Sequence, residues 1–145
     1  MPKCSEVMTR EPVCCEPGDP VARAADMMRQ HDVGSLPVVE SRNTGRLVGI
    51  VTDRDLVTKV VAGNRDVGSA TVRDAMTSNP ASVRENDDLD RAMSLMKDRQ
   101  VRRMPVVDET GRLSGIIAQA DVATRVNRDQ TTGKLVEAIS EQSRP

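Results

Sequence analysis

Few side chains in this sequence have a type and spacing that could act on, or hold, another molecule. Thr52-Asp53-Arg54-Asp55 sets a hydroxyl three residues ahead of a carboxylate, directly after the apolar run Leu47 to Val51. That is the spacing of a capping box, in which the two side chains satisfy each other's backbone amides at the start of a helix. The matching stretch Ala118-Gln119-Ala120-Asp121 keeps the acid and has a methyl group in place of the hydroxyl. Arg102 and Arg103 set two guanidiniums side by side ahead of Met104-Pro105. Adjacent guanidiniums can neutralise a di- or triphosphate or clasp it by paired hydrogen bonds, and they serve equally well as the solvated start of a strand. Arg54 can reach an anion or sit in a surface ion pair.

Nucleophilic and metal chemistry find little support. His31 is the only histidine, and near a predicted helix end the dipole favours a capping or surface role over catalysis. No nucleophile elbow is present. Gly63 and Gly68 have the outer spacing of a phosphate loop, but Ser69 stands where its lysine must be. Cys4, Cys14 and Cys15 are an odd count without C-x-x-C spacing, which argues against a disulfide framework or a cysteine-rich zinc site. They are expected as free buried thiols. Because Cys14 and Cys15 fall on opposite faces of any strand, an intermolecular disulfide stays open. Met27, Met28, Met93 and Met96 recur at helical spacing and are expected in the core rather than in a ligand cage.

The composition narrows the partners. The 145 residues are 37% hydrophobic and 30% charged, which suits one compact unit or two small interlocked ones. With 21 Lys+Arg against 22 Asp+Glu there is no global basic field for nucleic acid or an anionic membrane. The absence of Phe, Trp and Tyr removes aromatic stacking platforms, so a flat ligand must lie between Val, Ile, Leu or Met. No apolar run approaches the eighteen or so residues of a membrane span, and Met1 to Met8 carries Pro2, Lys3 and Glu6 rather than a secretory core, so a soluble, cytoplasmic protein is expected.

These residues are positioned by a unit used twice. At an offset of 68 (76 − 8), Met8 to Val39 matches Met76 to Val107 at 11 of 32 positions, among them Met8/Met76, Thr9/Thr77, Pro12/Pro80 and Pro37/Pro105. At an offset of 66 (111 − 45), Gly45 to Val60 matches Gly111 to Val126 at 8 of 16 positions. The repeats are expected at residues 7–62 and 72–127, joined by a linker at 63–71 and followed by a tail at 128–145. Within each, periodicity predicts β-α-β-β-α. The first copy has a short strand from Val13 to Cys15, then a helix opened by Pro20 with Val21, Ala24, Ala25, Met28 and His31 along one face. Strands at Leu36 to Glu40 and Leu47 to Val51 flank the Asn43-Thr44-Gly45 turn, and a helix runs from Asp53 to Val61. The second copy has a helix carrying Leu89, Ala92, Met93 and Met96, strands at Met104 to Asp108 and Leu113 to Ile117, and a helix from Gln119 to Val126. Val72 to Met76 forms a short helical entry, and Lys134 to Ile139 an amphipathic helix that can pack on the pair or on a second chain. So short a repeat has a thin core and exposed sheet edges, so the two are expected to pack as one intimate pair.

The motifs VMTREPV, VGSLPVV and GRLVGIVTDRDL in the first copy, with AMTSNPA, VRRMPVV and GRLSGIIAQADV in the second, resemble the cystathionine-β-synthase-type (CBS) repeat. Their order and duplication carry the likeness from Val7 to Val126. It implies an α/β (α+β) fold of tandem repeats with pseudo-two-fold symmetry, of the stand-alone bacterial type with no attached enzyme domain. It also implies a regulatory module that binds an adenosine-containing compound such as AMP, ADP or ATP, requires no cofactor, and acts through a homodimer or a protein effector not identifiable from sequence. In that likeness Thr52 lies near a phosphate, Asp55 and Asp121 accept ribose hydroxyls, and the helix start offers free N–H groups to phosphate. Arg102, Arg103 and Arg54 contact phosphate, while Val13, Ile50, Ala81 and Ile116 border adenine. The capping box accounts for Thr52 and Asp55 without a ligand, and core packing accounts for the four apolar residues. Ala118 predicts a weaker or empty second cleft, and hence at most one strong site. A ligand-free structural or stress-associated interaction protein is the alternative, and an enzyme is the least supported reading.

Overall fold

The computed structural model describes residues 1–124. The chain runs α1 (Cys4–Val7), β1 (Thr9–Arg10), α2 (Val21–His31), β2 (Ser35–Val39), β3 (Leu47–Thr52) and α3 (Asp53–Asp55), which continues as π-helical turns over Leu56–Val61. The second half follows as α4 (Val72–Ala75), β4 (Thr77–Ser78), β5 (Val83–Arg84), α5 (Leu89–Arg99), β6 (Arg103–Val107) and β7 (Leu113–Ala118). A last helix, α6, occupies the described residues 119–124. Its expected end at Val126 and the expected helix from Lys134 to Ile139 lie outside the described residues.

The two long helices obey the same physics. Each starts after an extended residue, Pro20 or Asp88, and each stops where Asp32 or Gln100 adopts a left-handed conformation. Val21, Ala24 and Met28 form the buried stripe of α2, and Leu89, Ala92 and Met96 that of α5. Ala25, His31 and Met93 were expected on these stripes, but all three are exposed, Met93 by 45%. An eleven-residue helix on a sheet buries a stripe only three side chains long, and these positions fall on its flank.

The hairpins β2–β3 and β6–β7 have the same register and a bulge at the same place, between Val38 and Val39 and between Val106 and Val107. Their turns require positive φ at Gly45 (65°) and Gly111 (87°), which glycine adopts without a Cβ penalty. The duplication is legible in these hairpins, but the sheets are built by exchange. One sheet has the order β1-β7-β6-β5 and the other β2-β3-β4. Thus β1 of the first repeat pairs with β7 of the second, Thr9 opposite Ile116, while β4 of the second pairs with β3 of the first, Thr77 opposite Ile50. The short helices follow: Cys4, Val7 and Met8 pack with Leu89, Met104 and Ile117, whereas Val72 and Ala75 pack with Leu36, Val38 and Val51. Bridges Lys3–Asp88 and Pro20–Thr71 are equivalent under the 68-residue offset, and the Arg46–Arg112 bridge relates the two hairpins to each other. Around it, Leu47 N–H donates to Gly111 O at 3.1 Å and Leu113 N–H to Gly45 O at 2.8 Å. The expected intimate pair is therefore present, and the cores it encloses each draw on both repeats.

Two expected elements differ. Val13 to Cys15 is reduced to a single parallel bridge, Cys15 to Val38, whereas its counterpart Val83–Arg84 is a two-residue strand. Pro17 follows the first copy where Glu85 follows the second, and Glu85 N–H donates to Val107 O at 3.2 Å, a bond that proline, with no amide, does not offer. The helix after Thr52 widens, with Ala62 N–H donating to Val57 O, five residues back, at 2.8 Å. No described helix is long and apolar enough to cross a membrane.

Candidate ligand site

Residues directly opposite one another in a sheet share a face, and the next pair faces the other way. The pairs Leu36–Val51 and Met104–Ile117 face the helices and belong to the two cores. The alternate pairs Ser35–Thr52 and Pro37–Ile50, with Thr77 opposite Ile50, therefore line the face turned away from the helices. In the second repeat the same face carries Arg103–Ala118 and Pro105–Ile116, with Thr9 opposite Ile116. Each candidate cleft is thus composite, its motif from one repeat and its entry strand from the other. Thr9 and Thr77 were not singled out in the sequence as site residues, although they are a matched pair in the duplication; only the strand exchange brings them beside Ile116 and Ile50.

Close approach of these entry strands explains the glycine that opens both motifs. A Cβ on Gly49 would lie 2.9 Å from Met76 Sδ and 2.9 Å from Thr77 O. One on Gly115 would lie 2.7 Å from Met8 Sδ and 2.7 Å from Thr9 O. Only a residue without a side chain admits the crossing strand.

The Thr52–Asp55 box is fully formed. Asp55 N–H donates to Thr52 Oγ1 at 3.0 Å, and Thr52 N–H donates to Asp55 Oδ2 at 3.0 Å. Asp55 Oδ1 faces Lys59 Nζ at 3.3 Å, with 16% of the Asp55 side chain exposed. The helix start does not offer the free amides that the resemblance implies. Asp53 N–H donates to Gly34 O at 2.9 Å, Arg54 N–H to Asp53 Oδ1 at 2.7 Å, and Asp55 N–H to Thr52. What the site retains is the O–H of Thr52 as a donor and the spare lone pairs of the Asp55 carboxylate. Arg54 is exposed. In the second repeat Ala118 cannot close a box, and among the described residues no hydrogen bond or ion pair engages the half-buried Asp121 side chain.

The two guanidiniums do not act as a pair. Arg103 opens β6 opposite Ala118 on the inter-sheet face. Arg102, one residue earlier, lines a groove of about 950 Å³ on the helix side with Met93, Lys97, Gln100 and Val101. Arg102 precedes the strand, at a bend, and is not bound to the ladder face that Arg103 takes. A coupled exchange accompanies them: a Cβ on Gly34 would lie 3.2 Å from Asp53 Oδ2, and in the second repeat Arg102 stands beside Gln119, whose N–H donates to Arg102 O at 2.9 Å.

Of the residues expected to border adenine, Ile50 and Ile116 lie on the inter-sheet face. Val13 and Ala81 pack against the first and second cores respectively. The cysteines are free: Cys4 and Cys15 are buried and Cys14 half-buried. Burial pushes the Cys15 thiol up to about 12 and that of Cys4 to about 11, and raises Cys14 as well, so the thiolate needed for redox chemistry is disfavoured at neutral pH. A second, polar hollow of about 390 Å³ beside β5 and β6 is lined by Asp87 and Asp108, but these carboxylates already accept the Arg84, Thr110 and Arg112 amides of their own turns.

The sequence pattern and the fold recur in known proteins. The CBS domain family matches residues 4–62 and 72–128. The chain is 35% identical over 143 residues to the CBS domain-containing protein YhcV of Bacillus subtilis, covering 99% of each. A structure of CBSX2 in complex with AMP superposes with a TM-score of 0.74 at 29% identity, over 88% of this chain and 97% of that one. The CBS domain pair of protein MJ0100 in complex with 5′-methylthioadenosine and S-adenosyl-L-methionine superposes with a TM-score of 0.75 at 25% identity, over 89% and 98%. With its two matched repeats, exchanged entry strands and paired sheets, the chain belongs to the CBS domain family and folds as a CBS pair.

Proposed function

We propose that this CBS pair is a regulatory binding module for an adenosine-containing compound, AMP, ADP, ATP or a related adenosyl molecule, rather than an enzyme. The observation that carries the reading is the half-buried Thr52–Asp55 unit beside Ile50 and Thr77 on the inter-sheet face. It offers a hydroxyl donor, a carboxylate with spare acceptor capacity and apolar walls, which is the chemistry of a ribose and a flat base. Relatives of the same fold hold AMP, or 5′-methylthioadenosine and S-adenosyl-L-methionine. In this reading Thr52 meets a phosphate and Asp55 the ribose hydroxyls in the first cleft, and Asp121 takes the ribose in the second. Arg103 replaces the missing hydroxyl there with a charge suited to phosphate. Occupancy shifts the module between two arrangements of its repeats, because a ligand bound equally by both would shift neither. The change is read by a second copy or a protein effector at the helix faces, where Val57, Val61, Met93 and Val101 are exposed.

A thermal-shift series with AMP, ADP, ATP, S-adenosylmethionine, NAD and GTP tests the proposal, since a ligand that binds only the folded state raises Tm in proportion to occupancy. A dose-dependent rise confined to adenosine compounds is expected. No rise with any of them would favour an interaction protein that works without a ligand.

A further inference from the structure

Lys59 belongs to neither a core nor a cleft wall, yet it joins the first site to the segment that enters beside it. Its Nζ lies 3.3 Å from Asp55 Oδ1 and donates to the backbone carbonyl of Ala75 at 3.1 Å. Ala75 ends α4, and the last carbonyls of a helix lack partners within it. The chain then passes through Met76, whose sulfur rests over Gly49, to Thr77, which pairs with Ile50. One ammonium therefore ties the carboxylate proposed to meet the ribose to the helix end that leads into the strand paired beside Ile50, and that segment comes from the other repeat. The pair is partly sheltered, with 16% of the Asp55 side chain and 43% of the Lys59 side chain exposed, so it is less screened than an ordinary surface ion pair.

We propose that Lys59 is a positioning residue, a clamp between Asp55 and the entry segment of the second repeat, and that a ligand hydroxyl on Asp55 weakens it towards displacement. Asp55 keeps lone pairs for that hydroxyl, and a donor on Oδ1 draws on the negative charge that holds the ammonium at 3.3 Å. Ligand binding then loosens the hold on Ala75 and frees residues 72–78 to move. By linkage, the clamp weakens ligand binding by the same factor that the ligand weakens the clamp. The ligand half of this inference rests on the adenosyl reading above; the clamp half does not.

Backbone hydrogen exchange tests both halves. The probes are the amides of Met76, bonded to Val72 O, and of Asn79, bonded to Val48 O. Without ligand, Lys59→Met speeds their exchange about three- to fivefold, as loss of an ion pair and a hydrogen bond predicts. Asp55→Asn does the same while keeping an oxygen for the Thr52 amide, the double variant adds nothing further, and Lys59→Arg behaves as wild type. Unchanged exchange in Asp55→Asn, or additive effects in the double variant, would overturn the clamp whether or not a nucleoside binds. If the wild type binds adenosine or AMP, Lys59→Met binds it about threefold tighter. Equal or weaker binding by that variant would overturn the displacement. Failure of the wild type to bind either compound would count against the adenosyl reading and the displacement together, leaving the ligand-free exchange to decide the clamp.

Discussion

In the first repeat the cross-strand pair on the inter-sheet face beside the helix start is Ser35–Thr52; in the second it is Arg103–Ala118. One step along the same strands the pairs are Leu36–Val51 and Met104–Ile117, all fully buried. Two copies of one unit have thus kept an apolar core on the face that packs on helices, whereas on the opposite face the pair at the helix start has changed and the next pair, Pro37–Ile50 against Pro105–Ile116, is identical. The reason is energetic. An interior packed to crystal-like density tolerates exchange among apolar side chains of similar size and little else. The half-exposed pair at the helix start is free to trade two hydroxyls for a guanidinium and a methyl. The same exchange moves the helix start from a closed capping box to a carboxylate with no described partner.

The largest effects test the conserved side of this comparison. Leu36→Ala and Met104→Ala should each cost about 2–5 kcal/mol of unfolding free energy, measured by urea denaturation, because each empties a fully buried site. Closely matched losses are expected. If one were nearly neutral, the two cores would not be equivalent and the comparison would fail on its packing side.

How much of this is written in the sequence depends on how far each inference had to reach. The hairpins, their glycine turns and the long helices follow from local periodicity and the 68- and 66-residue offsets. The exchange of entry strands does not, because Thr9 meets Ile116 across more than a hundred residues and a sequence repeat reads as a self-contained unit. The split between Arg102 and Arg103 depends on a single position: β6 begins at Arg103, and Arg102, at the bend before it, lines the groove beside α5 instead. Thr52 and Asp55 were legible as a capping box, but the occupied amides of Asp53 and Arg54 were not, since their acceptors are Gly34 O and a neighbouring side chain rather than anything the spacing encodes. Exposure of Met93 and His31 was missed because helical spacing marks a face without giving the width of the buried stripe.

A smaller effect separates the two acids. Asp55→Ala removes the acceptor for the Thr52 amide and a charge beside Lys59, and should cost about 0.5–2 kcal/mol of stability. Asp121→Ala removes no described hydrogen bond and should change stability by less than about 0.5 kcal/mol. Denaturation of the two variants side by side checks the difference. Equal losses would mean that the second helix start is held as firmly as the first, and the contrast between closed and open boxes would collapse.

In the reading proposed above the two clefts are inequivalent adenosyl sites, one based on Thr52 and Asp55 and the other on Arg103 and Asp121. Titration calorimetry of adenosine and of ATP into wild type, Asp55→Ala and Arg103→Ala tests it most directly. Asp55→Ala is expected to weaken adenosine binding by about 1–3 kcal/mol, the size of a lost hydrogen-bonding contact to a charged group. Arg103→Ala is expected to weaken ATP more than adenosine. Folded variants that bind both compounds as the wild type does, or an Arg103→Ala that loses adenosine and ATP equally, would contradict it.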